Sequence, residues 1–110
     1  MIKFIVRLSD KQKELMNEEL MRQHASYLRE LKKKGVLPFC GPCMDGTALM
    51  IIDAPSYQLA KQYVENDPFS KVNYYRTRDI VEIEEATIEN NFLMDEDIIV
   101  KLIMQVRSAN

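Results

Sequence analysis

The chain has 110 residues, with 15 Lys and Arg against 17 Asp and Glu, one histidine, two cysteines and no tryptophan. That length suits one domain around a single core, and 46% apolar residues at a formal charge of −2 is the balance of a folded chain. The near-neutral charge argues against a nucleic-acid platform. Two cysteines are too few for a disulfide scaffold, no apolar run approaches the roughly 20 residues of a membrane span, and Met1–Arg7 lacks a signal-peptide pattern. These readings point to a small cytoplasmic globular protein with no membrane and no nucleic-acid partner.

Residues 2 to 8 alternate, with Ile2, Phe4, Val6 and Leu8 on one side and Lys3, Ile5 and Arg7 on the other, which predicts a strand. Ser9 with Gln12 three residues on reads as a capping box, and the stretch from Asp10 to Lys34 contains no Gly or Pro before Gly35. A helix is therefore expected over 10–34, long enough that its first turns could be a separate piece. Leu20, His24, Tyr27, Leu28 and Leu31 share its inward face.

A second strand is expected over 36–43, at a sheet edge because Pro38 and Pro42 cannot donate to a ladder. Asp45-Gly46 signals a tight turn. It leads into a third strand over 47–52 that is apolar on both faces. Pro55-Ser56 opens a second helix with Leu59, Ala60, Tyr63 and Val64 inward, and Pro68 ends it, leaving Asp67 in an extended kink. A fourth strand follows over 74–84. From Asp95 to Val106, the residues Ile98, Ile99, Leu102, Ile103 and Val106 suggest an amphipathic helix that packs on the domain or across a dimer.

The order β-α-β-β-α-β predicts an α+β, ferredoxin-like domain over 1–85 with an antiparallel sheet, followed by a helical extension over 86–110. Both helices would cover one sheet face. Ile5 and the doubly apolar third strand require cover on the other, and a second copy is the simplest cover, giving a homodimer.

Cys40-Gly41-Pro42-Cys43 has the spacing of a redox motif, but such a thiolate needs a helix N-terminus behind it. Here a turn and a strand follow, so two reduced structural cysteines are expected. Two thiols and one distant histidine also fall short of a zinc set, and no cofactor motif is present. Imidazole chemistry must pass through His24, whose pKa near neutrality lets it move protons either way. A lone inward histidine is otherwise a hydrogen-bonded core residue, so a functional role requires a carboxylate partner and a pocket. Asp67, Asp45 and Asp79 are the candidates, with Asp67 first. The acidic stretch from Asp79 to Asp97 holds no Lys or Arg and reads as a solvated face.

In order and spacing, His24-Ala25-Ser26-Tyr27-Leu28, Gly35-Val36-Leu37, Gly41-Pro42, Asp45-Gly46 and Asp67-Pro68-Phe69 resemble the YciI-like (YCII-related) family over about residues 1 to 84. The resemblance implies a dimeric α/β barrel and a pocket centred on a histidine and an aspartate. His24 would be its acid/base group, Asp67 its partner, and Gly41, Pro42 and Phe69 its shaping residues. Related barrels carry out isomerase, lyase or dehydrochlorinase chemistry on small organic acids and aromatics, and the resemblance implies a ligand of that class. The alternative is a non-enzymatic ligand-binding or interaction module that uses the C-terminal extension, which has no counterpart in the family domain.

Overall fold

A computed structural model describes residues 1–108. In chain order the elements are β1 (Ile2–Lys11), a 3-10 turn (Lys13–Leu15), α1 (Glu18–Lys33), β2 (Phe39–Pro42), β3 (Ala48–Ala54), α2 (Tyr57–Glu65), α3 (Pro68–Lys71), β4 (Tyr75–Ile83), a second 3-10 turn (Asn91–Leu93) and α4 (Glu96–Ser108). The four strands form one antiparallel sheet in the order β2-β3-β1-β4, the ferredoxin-like arrangement with β2 at an edge.

Alternation in β1 decides where the core lies. Phe4, Val6 and Leu8 point to one face, opposite Ile52, Met50 and Ala48 of β3, and all but Ala48 are buried. Leu20 and Leu31 of α1, Ala60 and Val64 of α2, and Val36 and Leu37 of the α1–β2 connection close over them. Gly35, at φ 75°, ends α1: its own N–H reaches Lys32 O and the Val36 N–H reaches Leu31 O. That closure turns Val36 into the core. For this reason β2 is shorter than the expected 36–43, since Val36 and Leu37 serve the core rather than the ladder.

The first helix also begins later than its sequence suggests. Ser9 sits in β1 opposite Thr77, and Lys11 pairs with Tyr75. Gln12 does not reach back as a capping partner. Its N–H donates to Tyr74 O at 2.7 Å and its side-chain amide to Asn73 O at 2.8 Å. The true cap is Asn17, whose side-chain oxygen accepts the Leu20 N–H at 2.8 Å. α2 stops at Glu65 with Asn66 as its C-cap, and Asp67 ahead of Pro68 is extended, as expected. Pro68 has a second role. It occupies the first turn of α3 behind the cap Asp67, where its fixed φ favours a helix start.

Among the described residues, nothing covers the ends of the row that crosses the other sheet face. That row, Phe39–Ile51–Ile5–Val81, crosses all four strands. Its ends, Phe39 and Val81, are 58% and 59% exposed. Beside it lie the Lys3–Asp53 ion pair at 2.8 Å and Arg7, 3.6 Å from Asp45. The C-terminal helix forms as expected, but it does not bury its apolar side chains. Ile99, Val100, Leu102, Ile103 and Val106 are 40–72% exposed, while the side chain of Ile98 lies outside the described residues. No helix among the described residues is long and apolar enough to cross a membrane.

Candidate functional site

The site assembles where α1 passes α3. His24 lies on the stripe of α1 that also carries Leu20, Leu28 and Leu31, so its ring turns toward the sheet side. Asp67, in extended geometry at φ −62° and ψ 133°, caps α3: its Oδ1 accepts the Phe69 N–H at 2.9 Å. The same oxygen lies 2.8 Å from Nδ1 of His24. Asp67 is 2% exposed, the one buried carboxylate among the described residues. An ionised carboxylate only accepts, so in the neutral ring Nδ1–H donates to Asp67 and Nε2 is the acceptor left for the cavity. The imidazole is also stacked on Phe69, with centroids 3.6 Å apart and planes 4° from parallel. Phe69 in turn rests against Tyr74 and Tyr75.

Tyr27, one turn further along α1, locks the arrangement from behind. Its hydroxyl donates to Tyr63 O at 2.6 Å, tying α1 to α2. Burial, and then the nearby Asp67 carboxylate, push its phenol up to about 12. Burial also raises Tyr74 and Tyr75, so all three phenols stay protonated near neutrality.

Between α1 and the helix-facing side of the sheet lies a cavity of about 370 Å³. His24, Phe69, Gly41 and Pro42 all line it. Asp67 does not: it sits behind the imidazole and acts on the cavity only through it. Of the other carboxylates considered for His24, Asp45 folds back onto the N–H and hydroxyl of Thr47, whose hydrogen bonds hold it below the usual carboxylate range. Asp79 stands across the ladder from Arg7 on the uncovered face.

Both cysteines are free and exposed, and a turn and β3 follow them. Cys40 lines the cavity, whereas Cys43 joins the turn through its N–H to Thr47 O. Among the described residues no cluster of three or more metal-ligating side chains occurs.

Sequence reasoning missed several lining residues. Met16, Met21 and Leu28 supply flexible apolar wall, Tyr74 and Tyr75 aromatic wall, and Lys11 a cation. Lys11 was hidden by its assignment to a helix. The Tyr74-Tyr75 pair follows Asn73, whose φ is 60°; Tyr74 closes that turn and Tyr75 opens β4.

A model of the YCII-related domain family matches residues 2–84. No curated protein matches the chain. Among solved structures it is similar to the 5-chloro-2-hydroxyhydroquinone dehydrochlorinase TftG from Burkholderia phenoliruptrix AC1100, in complex with 2,5-dihydroxybenzoquinone. The TM-score is 0.64 at 21% identity, covering 77% of this chain and 95% of that one. At that identity the likeness is one of fold.

Proposed function

The chain belongs to the YCII-related domain family, and on that footing we propose that it binds a small organic acid or aromatic in the cavity beside His24 and does acid/base chemistry on it. The observation that carries this reading is the contact between a buried carboxylate and a histidine that lines a cavity, 2.8 Å from Asp67 Oδ1 to His24 Nδ1. Nε2 takes a proton from the bound molecule and then returns it to a neighbouring atom, gives it to a basic departing group, or releases it to water where chloride leaves as the anion. Isomerase, lyase and dehydrochlorinase reactions share the initial proton removal. Asp67 fixes the tautomer before the transfer and stabilises the imidazolium after it. Phe69 keeps the ring in plane, and Gly41 and Pro42 shape the opposite wall. The flat ligand of TftG, with which this chain shares its fold, supports a flat guest. The uncovered sheet row supports a homodimer packed through that face.

The test is to titrate 2,5-dihydroxybenzoquinone into the wild type and His24→Gln, and to measure chloride release from 5-chloro-2-hydroxyhydroquinone by both. Saturable binding that weakens in the variant, with any turnover falling roughly 10²–10⁴-fold, is expected. Binding and turnover indifferent to His24→Gln would overturn the reading.

The exposed apolar side chains of α4 favour a second reading, an interaction module that uses the C-terminal extension. Deleting residues 96–110 separates the two, since acid/base chemistry at His24 survives the deletion and partner capture does not.

A further inference from the structure

Charge is distributed very unevenly around the cavity. Among the described residues no carboxylate lines it, and Lys11 is the only lining side chain with a permanent charge. Other cations of the sheet have partners: Lys3 pairs with Asp53, Arg7 with Asp45, Arg76 with Asp10 and Arg78 with Glu65. Lys11 pairs with no carboxylate among the described residues, although it is half-buried and its sequence neighbour Asp10 is acidic. A cation on a cavity wall with no counter-ion beside it is free to meet an anion that enters the cavity.

The backbone puts Lys11 there deliberately. Leu8 and Lys11 are three residues apart in β1, and in an unbroken strand they would face opposite sides of the sheet. Both line the same cavity. Asp10 between them has φ 59°, a left-handed conformation that costs a non-glycine residue energy and turns the following side chain. The same kink points the Asp10 carboxylate at Arg76, 2.9 Å away, and so removes it from Lys11.

We propose that Lys11 selects charge in this cavity, and that the ligand is a flat aromatic anion with its negative group at the Lys11 ammonium and its ring beside Phe69, Tyr74 and Tyr75. This deepens the reading above and rests on the same cavity, but not on His24 acting as a base. At about 370 Å³ the cavity has room for a single substituted ring. The protonated tyrosines offer donors and no competing charge. An ammonium next to a phenolate, enolate or carboxylate also lowers the barrier to any step that builds negative charge on the ring.

Benzoate and benzamide test this directly, because they share ring and shape and differ in charge. Their dissociation constants are measured on the full-length wild type, Lys11→Gln, Lys11→Arg and His24→Gln. The wild type should prefer benzoate roughly tenfold or more, Lys11→Gln should abolish the preference, and Lys11→Arg should retain it. Equal affinity for the two probes, no saturable benzoate binding by the wild type, or a preference that survives Lys11→Gln would each overturn the proposal. If Lys11→Gln fails to fold, the wild-type preference and its retention in Lys11→Arg decide the matter. Charge preference that persists in His24→Gln, with proton chemistry absent from every form, leaves Lys11 as the selector and removes the acid/base reading; the converse pattern does the opposite.

Discussion

The imidazole of His24 lies flat on the ring of Phe69, with centroids 3.6 Å apart and planes 4° from parallel. A ring held on one face by an aromatic and at Nδ1 by a carboxylate has no free torsion left, so Nε2 is aimed before any ligand arrives. Replacing Phe69 by Leu keeps an apolar side chain but removes the stack. The expected cost is about 1–2 kcal/mol of stability, together with a loosened imidazole. Thermal melts read the first, and broadened His24 ring resonances with weaker 2,5-dihydroxybenzoquinone binding read the second.

Asp67→Asn should be more damaging to the site than to the fold. The amide oxygen still caps Phe69, but a neutral acceptor serves Nδ1–H less well, and two buried hydrogen bonds to a charged group weaken at a cost of about 1–3 kcal/mol. The proton then redistributes between the two ring nitrogens. Nitrogen-15 shifts of His24 should move from a mostly Nδ1–H tautomer in the wild type toward a mixture in the variant. Unchanged shifts would mean that the carboxylate does not set the tautomer.

Tyr27→Phe carries a pH signature. The folded phenol is raised from 10.0 to about 12, by burial first and then by Asp67. The stabilising contribution of the neutral hydroxyl is therefore complete below pH 10 and is lost as pH rises toward 12. At pH 7 the variant should be less stable by about 1 kcal/mol, the value of the lost bond to Tyr63 O. Above pH 10 the wild type should lose stability faster than the variant, and the gap should close. Parallel melting curves from pH 7 to 11 check this.

The sheet row Phe39–Ile51–Ile5–Val81 makes the assembly testable. Ile51→Lys places a charge in the middle of that row without touching the helix-covered core. The wild type should run at the mass of a dimer at micromolar concentration, and Ile51→Lys at that of a monomer with an unchanged far-ultraviolet spectrum. A wild-type monomer under these conditions would remove the homodimer.

The legible parts of the fold were those in which one physical rule acts alone. Strand alternation, two strand-breaking prolines and helical spacing were enough for the topology and for placing His24 inward. The misread parts were those in which a local signal met a stronger tertiary partner. Ser9 and Gln12 look like a capping box, yet Gln12 bonds to Asn73 and Tyr74 in the turn ahead of β4, and Asn17 caps the helix. Pro68 reads as a stop, and Asp67 is extended as that requires, but Pro68 is also the start of a new turn that Asp67 caps. Lys11 was invisible because its position depends on the conformation of Asp10, a property that no periodicity carries.

A single oxygen, Asp67 Oδ1, both caps α3 and holds His24. Alignment of the imidazole and folding of that turn are therefore one equilibrium: any opening that frees the Phe69 amide releases the ring as well. The fraction of molecules with an aligned imidazole is set by the local opening free energy of a four-residue helix, not by the global stability of the sheet. On warming, the imidazole loses its alignment before the protein loses its fold.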